Sequence, residues 1–404
     1  MDVNVLIIGL GPAGATVLSK LAQIVGSEKS ILAIDHRAKP GFPVQCGEFM
    51  PSPEEMASLM PAVPNSREFF AFDEQYISQR TKTISFVSPQ GKVIQTPFEG
   101  YSLHRGKWIT DLIETGKKKG AEVWTSACAV NMENTRITIV QSDKTQIQIN
   151  PQVIVGADGV NSKIAQWIGL NEKRSDKDYV IVKQHVMTNI DTDYDPTDIQ
   201  MFFGDKYSPG AYSWIIPKNN NTVNVGAGVR IPMLRGKMNV SKALTNLIEE
   251  HPTASQILKG ARIDKTIAGV VPVGLPFQNT VDVKSQSLLV GDAASQIVSS
   301  VGGGIPPSMV AGSIAATTIA DFLDGTCSLT EYQTRWWKSM LNVLIKSYKL
   351  RQFFDKISSG RDSRIQWYMN RLKSGDINKV VHCAVPWKVT LAYPFVRYLN
   401  WIIT

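Results

Sequence analysis

A chain of 404 residues with 43% hydrophobic and 19% charged side chains is long enough for two or three units sharing buried cores, and its composition excludes a disordered polymer. It shows no basic start leading into an apolar signal core, and no uncharged apolar run of about 18 residues, so an intracellular, cytoplasmic protein that does not span a bilayer is expected. The formal charge of +8 suits either ordinary solubility or an anionic environment (a phosphate-bearing cofactor, lipid headgroups, a membrane surface), whereas dispersed basic residues with no recognition module argue against nucleic acid.

Residues 3–8 are a continuous β-branched, apolar run, the pattern of a strand covered on both faces. Gly9-Leu10-Gly11-Pro12-Ala13-Gly14 follows at once, then a helical pattern over about 13–25 that takes in Ala15, then a second buried strand over 31–34 ending at Asp35. Residues 72–98 read as short alternating strands forming a small insertion, 104–119 as a helix and 122–124 as a strand. Residues 136–149 read as a hairpin leading to the strand 153–155.

From about 179 to 270 the pattern is mostly strands around one helical stretch at 241–250, an α+β module suited to facing a substrate. A strand over 287–290 precedes Gly291-Asp292 and the cluster Gly302-Gly303-Gly304-Ile305, which opens a helix ending near Gly325. Beyond Leu329 the chain reads as helices rich in aromatics, among them Trp336, Trp337, Tyr348, Trp367, Tyr368, Trp387, Tyr393, Phe395, Tyr398 and Trp401. Such residues either pack a helical core or line a lipid tunnel or membrane boundary. The organisation expected is an α/β, Rossmann-like, discontinuous dinucleotide-binding domain over 1–75, 98–172 and 275–328. An inserted α+β substrate domain covers 76–97 and 173–274, and a helical region covers 329–404.

In the Gly9-x-Gly11-x-x-Gly14 spacing, the first glycine permits the turn, the second lets backbone approach a pyrophosphate, and the third lets helix and strand pack closely. Asp35, at the end of the second strand, is placed to accept hydrogen bonds from an adenosine ribose. This fingerprint serves FAD and NAD(P) alike. The four cysteines, Cys46, Cys128, Cys327 and Cys383, form no CxxC pair and the five histidines are scattered, so no metal is expected; whether Cys327 and Cys383 pair stays open.

Three stretches in order, the Gly9 turn, Gly156-Ala157-Asp158-Gly159 and Gly291-Asp292-Ala293-Ala294 with its glycine-rich helix start, resemble the flavoproteins that include aromatic hydroxylases and geranylgeranyl reductases. The resemblance implies FAD, with Asp158 and Asp292 in cofactor motifs, Gly303, Gly304 and Ile305 against the isoalloxazine, Arg105 at a helix start, and a backbone contact to adenine near Ala129. Pro43-Val44-Gln45-Cys46-Gly47-Glu48 is similar to the P-x-x-C-G-E pattern of geranylgeranyl reductases. Tyr212-Ser213-Trp214-Ile215-Ile216-Pro217 is similar to their Y-x-W-x-F-P pattern, with Ile216 in the place of phenylalanine.

What this implies is a reductase that saturates geranylgeranyl double bonds of archaeal membrane lipids. Hydride addition to an unconjugated alkene needs a proton delivered nearly in step, and Cys46 or Glu48 is the expected donor, with Cys46 and Gly47 also touching the flavin. Tyr212, Trp214 and Pro217 are expected to wall the substrate site. The expected partners are an isoprenoid lipid, an external electron donor (ferredoxin, a deazaflavin or NAD(P)H) and a peripheral membrane surface. Two rivals remain at this stage. One is a flavin monooxygenase of the hydroxylase type; the other is a non-catalytic prenyl carrier, since the fold also resembles Rab escort and GDP-dissociation-inhibitor proteins, which lack the cysteine motif.

Overall fold

The computed structural model describes residues 1–170, 175–190, 194–357 and 362–384. Trp387, Tyr393, Phe395, Tyr398 and Trp401 lie outside the described residues.

Two eight-stranded sheets organise the molecule. In the first, Asp2–Ile8 sits between Ile31–Asp35 and Gln146–Gly156, with Ser287–Leu289 and Glu122–Thr125 further out, all in parallel. The β-branched run is central because both its faces are covered: Val5, Leu6 and Ile7 have no exposed surface. Helices Pro12–Val25, Arg105–Lys118 and Ile305–Leu323 bury one face of this sheet. The hairpin Cys128–Glu133 and Arg136–Val140 continues it through antiparallel pairing onto Gln146–Gly156.

The second sheet runs in the order Arg262–Pro272, Tyr179–Thr188, Thr222–Arg230, Ser213–Lys218, Asp198–Phe202, Ile77–Val87, Val93–Leu103, Phe49–Pro51. The stretch read as a small insertion is a hairpin of two 11-residue strands, joined to the sheet by parallel pairing with Asp198–Phe202. That pairing links segments over a hundred residues apart, which local alternation does not reveal.

All the strands around Asp2–Ile8 end on the same side, at Ile8, Asp35, Gly156 and Leu289. Neighbouring connections diverge there and open a crevice, the usual ligand position of a doubly wound sheet. The second sheet and the C-terminal helices Asn342–Ile357, Asp362–Met369 and Ser374–Val381 close over it, producing a cavity of about 960 Å³.

Candidate active site

The cavity has a polar end at the parallel strands. Gly9 leaves its strand at a φ of +96°, and a Cβ there would lie 2.4 Å from the Ala157 carbonyl oxygen. At Gly14 a Cβ would meet the Gly9 carbonyl at 1.9 Å, so the helix start and the turn touch backbone to backbone. Gly11 differs: a Cβ there would meet nothing within 4 Å, because it faces the cavity. It is also the N-cap of Pro12–Val25 and supplies no capping side chain, so the helix presents free N–H groups to the open space.

Asp35 is buried but lines the cavity, its two oxygens accepting the N–H groups of Leu10 and Arg37, each at 2.8 Å. A carboxylate has about four lone-pair sites, so capacity remains for ribose hydroxyls. Ala15 is fully buried and Gly291 lines no part of the cavity; both shape the turns behind it. Gly291 does so at a φ of +64°, with its N–H on Gln296 Oε1 at 2.7 Å.

Ala129, Asp158, Asp292, Gly303, Gly304 and Ile305 line the walls. One Asp158 oxygen caps the helix Lys163–Trp167 through the N–H groups of Lys163 (2.6 Å) and Ile164 (3.2 Å). The other is buried with no partner among the described residues, and burial pushes the carboxyl above its ordinary pKa. Arg105, also lining the cavity and 9% exposed, has its Nε buried without a partner among the described residues. An uncapped helix start, a free guanidinium N–H and the Asp35 carboxylate around a space of this size fit FAD, whose diphosphate would lie by Gly11 and Arg105 and whose ribose would lie by Asp35.

At the junction of the two sheets sits the loop 43–48. Cys46 lines the cavity with a free thiol, and its Sγ accepts the Glu48 N–H at 3.2 Å. Three second-sheet side chains clamp this loop. Gln184 donates to the Cys46 carbonyl at 3.0 Å and accepts the Trp214 indole N–H at 2.9 Å, while Asn224 donates to the Gly47 carbonyl at 3.1 Å. The third is Lys218, in an ion pair with Glu48.

Glu48, expected as an alternative acid, thus has donors for all its partners: Lys218, Asn224 and the Arg105 N–H at 3.2 Å. Its geometry uses the carboxylate as an acceptor that fastens the loop at a left-handed φ of +66°.

Away from the flavin motifs the cavity becomes apolar, walled by residues such as Phe86, Met201, Trp214, Ile216, Phe354 and Tyr368. Tyr212 also lines it; burial pushes its phenol well above the ordinary range, so the hydroxyl keeps its proton and donates to the Val301 carbonyl at 2.5 Å. That bond ties the substrate wall to the glycine turn 302–304. Pro217 does not line the cavity; its carbonyl accepts the Ser102 hydroxyl at 2.7 Å. Trp336 is a core residue, fully buried with its N–H on Thr280, whereas Trp337 and Trp367 are exposed. The thiols of Cys327 and Cys383 are unpaired.

Residues 178–270 match the model of the geranylgeranyl reductase catalytic domain. A digeranylgeranylglycerophospholipid reductase of Methanocaldococcus jannaschii is 30% identical over 403 residues, covering 96% of this chain and 96% of that one. Another, from Methanoculleus marisnigri, is 31% identical over 366 residues, covering 87% and 86%.

The chain belongs to the geranylgeranyl reductase family. The resemblance read from its motifs is therefore borne out. A solved geranylgeranyl bacteriochlorophyll reductase-like structure from Thermoplasma acidophilum is similar at a TM-score of 0.80 and 22% identity, covering 100% of this chain and 99% of that one. A myxobacterial chondrochloren halogenase, described as a variant of FAD-dependent halogenases, gives 0.66 and 15% over 94% and 90%. These two likenesses speak to the fold, and the α/β architecture with an FAD-type sheet agrees with them.

Within this family member, sequence reasoning passed over Gln184, Lys218, Asn224 and Gly226. Glycine inside a strand was the available signal. A Cβ on Gly226 would lie 2.1 Å from the Trp214 ring, so the absent side chain is what lets the indole lie flat on its neighbouring strand. Gly47 shows the same logic, with a Cβ there falling 2.8 Å from Ile216 Cδ1.

Proposed function

We propose that the protein saturates the geranylgeranyl double bonds of an archaeal-type glycerophospholipid, with FAD as cofactor and Cys46 as proton donor. The observation that carries this reading is the continuity of one cavity from the dinucleotide turn to an apolar arm, with the only thiol on its inner wall among the described residues other than Cys128 standing at the junction. Cys128 lies with Ala127 and Ala129 at the end of the cavity expected to hold adenine, away from that junction.

FAD, when bound, supplies the hydride that an unactivated alkene requires. The protein's residues do the rest. The apolar arm takes up the prenyl chain and strips it of water, and Trp214, fixed by Gln184 and Gly226, sets the plane of the alkene. Cys46 delivers its Sγ proton to the alkene carbon that does not receive hydride, leaving a thiolate. The Glu48 N–H, already directed at that sulfur, stabilises the developing charge, and solvent restores the proton. Glu48 and Lys218 act as positioning residues by holding the loop.

Among the described residues no helix is long and apolar enough to cross a membrane. Access to a bilayer-borne substrate is therefore assigned to peripheral contact, consistent with exposed Trp337 and Trp367 on the C-terminal helices and the net charge of +8. An external electron donor reloads the flavin.

The test uses chemically reduced, flavin-loaded protein with a digeranylgeranylglycerophospholipid, followed by mass spectrometry. Gains of two hydrogens per double bond are expected. Bound, reducible flavin with no mass gain would overturn the reading, and oxygen-dependent hydroxylation in its place would install the monooxygenase.

A further inference from the structure

The mechanism leaves two buried arginines unused. Arg230 ends the strand Thr222–Arg230 and Arg351 lies on the helix Asn342–Ile357; both line the cavity and are 2% and 7% exposed. Asp355 pairs with both, and the Lys177 carbonyl accepts from both. Arg351 also stacks over the Tyr348 ring, 4.8 Å from its centroid. A second carboxylate nearby, Asp178, is engaged by the Ser175 N–H and hydroxyl. The Nε of each arginine is buried and has no partner among the described residues.

Two guanidinium groups therefore lie on the wall of a largely apolar cavity, with Asp355 between them and the Asp178 charge also acting on Arg351. A buried guanidinium N–H without an acceptor is unfavourable unless a ligand supplies one. The planar fork of arginine matches phosphate oxygens in particular. The strand supplies the geometry: Asn224, Gly226, Gly228 and Arg230 alternate onto one face. Asn224 holds the Cys46 loop and Gly226 underlies Trp214, so with a rise of about 3.3 Å per residue Arg230 lies about 13 Å along the strand from the alkene site. The Trp214 ring covers Gly226, and Val180 and Ala211, which line the cavity, cover Gly228, so the wall between the two points is apolar.

We propose that Arg230 and Arg351 bind the phosphate of the isoprenoid substrate, anchoring the headgroup so that the chain runs past Val180 and Ala211 to Trp214 and Cys46. The proposal rests on the function given above and names how its substrate is recognised.

The test compares digeranylgeranylglyceryl phosphate with the uncharged digeranylgeranylglycerol on the reduced holoenzyme. Wild type is expected to show a KM about 10- to 100-fold lower for the phosphate-bearing lipid, the range of a charge-assisted hydrogen-bond pair. That preference should collapse towards one in Arg351→Gln and recover in part in Arg351→Lys. Inorganic phosphate separates free anion from lipid headgroup: it should compete with the phosphate-bearing lipid and leave reduction of the alcohol unaffected. A wild type without preference, or a variant that keeps it, overturns the proposal while the reductase reading stands. If neither lipid is reduced, the functional reading falls; equilibrium dialysis with inorganic phosphate alone then decides the site, with binding by wild type and not by Arg351→Gln supporting it and equal binding or none overturning it.

Discussion

The two ends of the cavity are built on different principles. The dinucleotide end is made of backbone: Gly9, Gly11 and Gly14 shape it by what they lack, and free helix N–H groups face it. The lipid end is made of side chains carried by strands far apart in sequence, with Gln184, Trp214, Ile216 and Asn224 converging on one loop. Backbone sites tolerate little change at a few positions, whereas side-chain walls can be reshaped at many.

Substitutions at the junction and at either end should separate these contributions. The largest effect is expected at Cys46: Cys46→Ala should keep its flavin and lose about 10²- to 10⁴-fold in the rate of alkene reduction, the usual range for a positioned proton donor. At the cofactor end, Gly11→Leu should fold normally, because its side chain meets open space, yet bind FAD about 10- to 100-fold more weakly. Flavin absorbance of the purified protein, read beside its thermal midpoint, checks this. A stable, fully yellow variant would show that Gly11 does not face the cofactor.

At the lipid end, Gly226→Ala must displace the Trp214 ring, and a loss of about tenfold in kcat/KM with flavin binding intact is the expected outcome. Glu48→Gln separates fastening from proton delivery. It weakens the Lys218 pair and should lower thermal stability while costing turnover about tenfold or less, far short of Cys46→Ala.

The smallest effect on turnover is expected from His251, packed between Phe202 and Tyr207 behind the lipid wall. Burial lowers its pKa from 6.5 to about 4, so the unfolded chain binds the extra proton as pH falls through that interval and the native state loses stability. The loss should begin near pH 6.5 and level off near pH 4, reaching on the order of 3 kcal/mol. Denaturant midpoints across that window should fall less steeply in His251→Gln than in wild type.

The same contrast explains what was legible beforehand. The Gly9 turn, the Asp35 strand end and the Gly291 and Gly302 turns are contiguous motifs whose chemistry is local, and they could be read residue by residue. Glu48 could be noticed but not assigned, because its partner Lys218 comes from a strand 170 residues on. Arg230 belongs to no contiguous motif, and its place beside Arg351 on one carboxylate is set only by the fold. Pro217 sat inside a recognisable motif, yet strand alternation turned it away from the cavity and towards Ser102.

The claim on which the rest depends is that flavin and lipid meet in one cavity at Cys46. Anaerobic single-turnover reoxidation tests it most directly: flavin-loaded protein is reduced, freed of excess reductant and mixed with digeranylgeranylglycerophospholipid, in wild type and in Cys46→Ala. The account predicts that the wild-type flavin reoxidises only when lipid is present, in step with lipid mass gain, and that the variant holds its reduced flavin at least about a hundredfold longer. Equal reoxidation in both proteins would remove Cys46 from the chemistry, and reduced flavin left untouched by lipid in wild type would contradict the shared cavity itself.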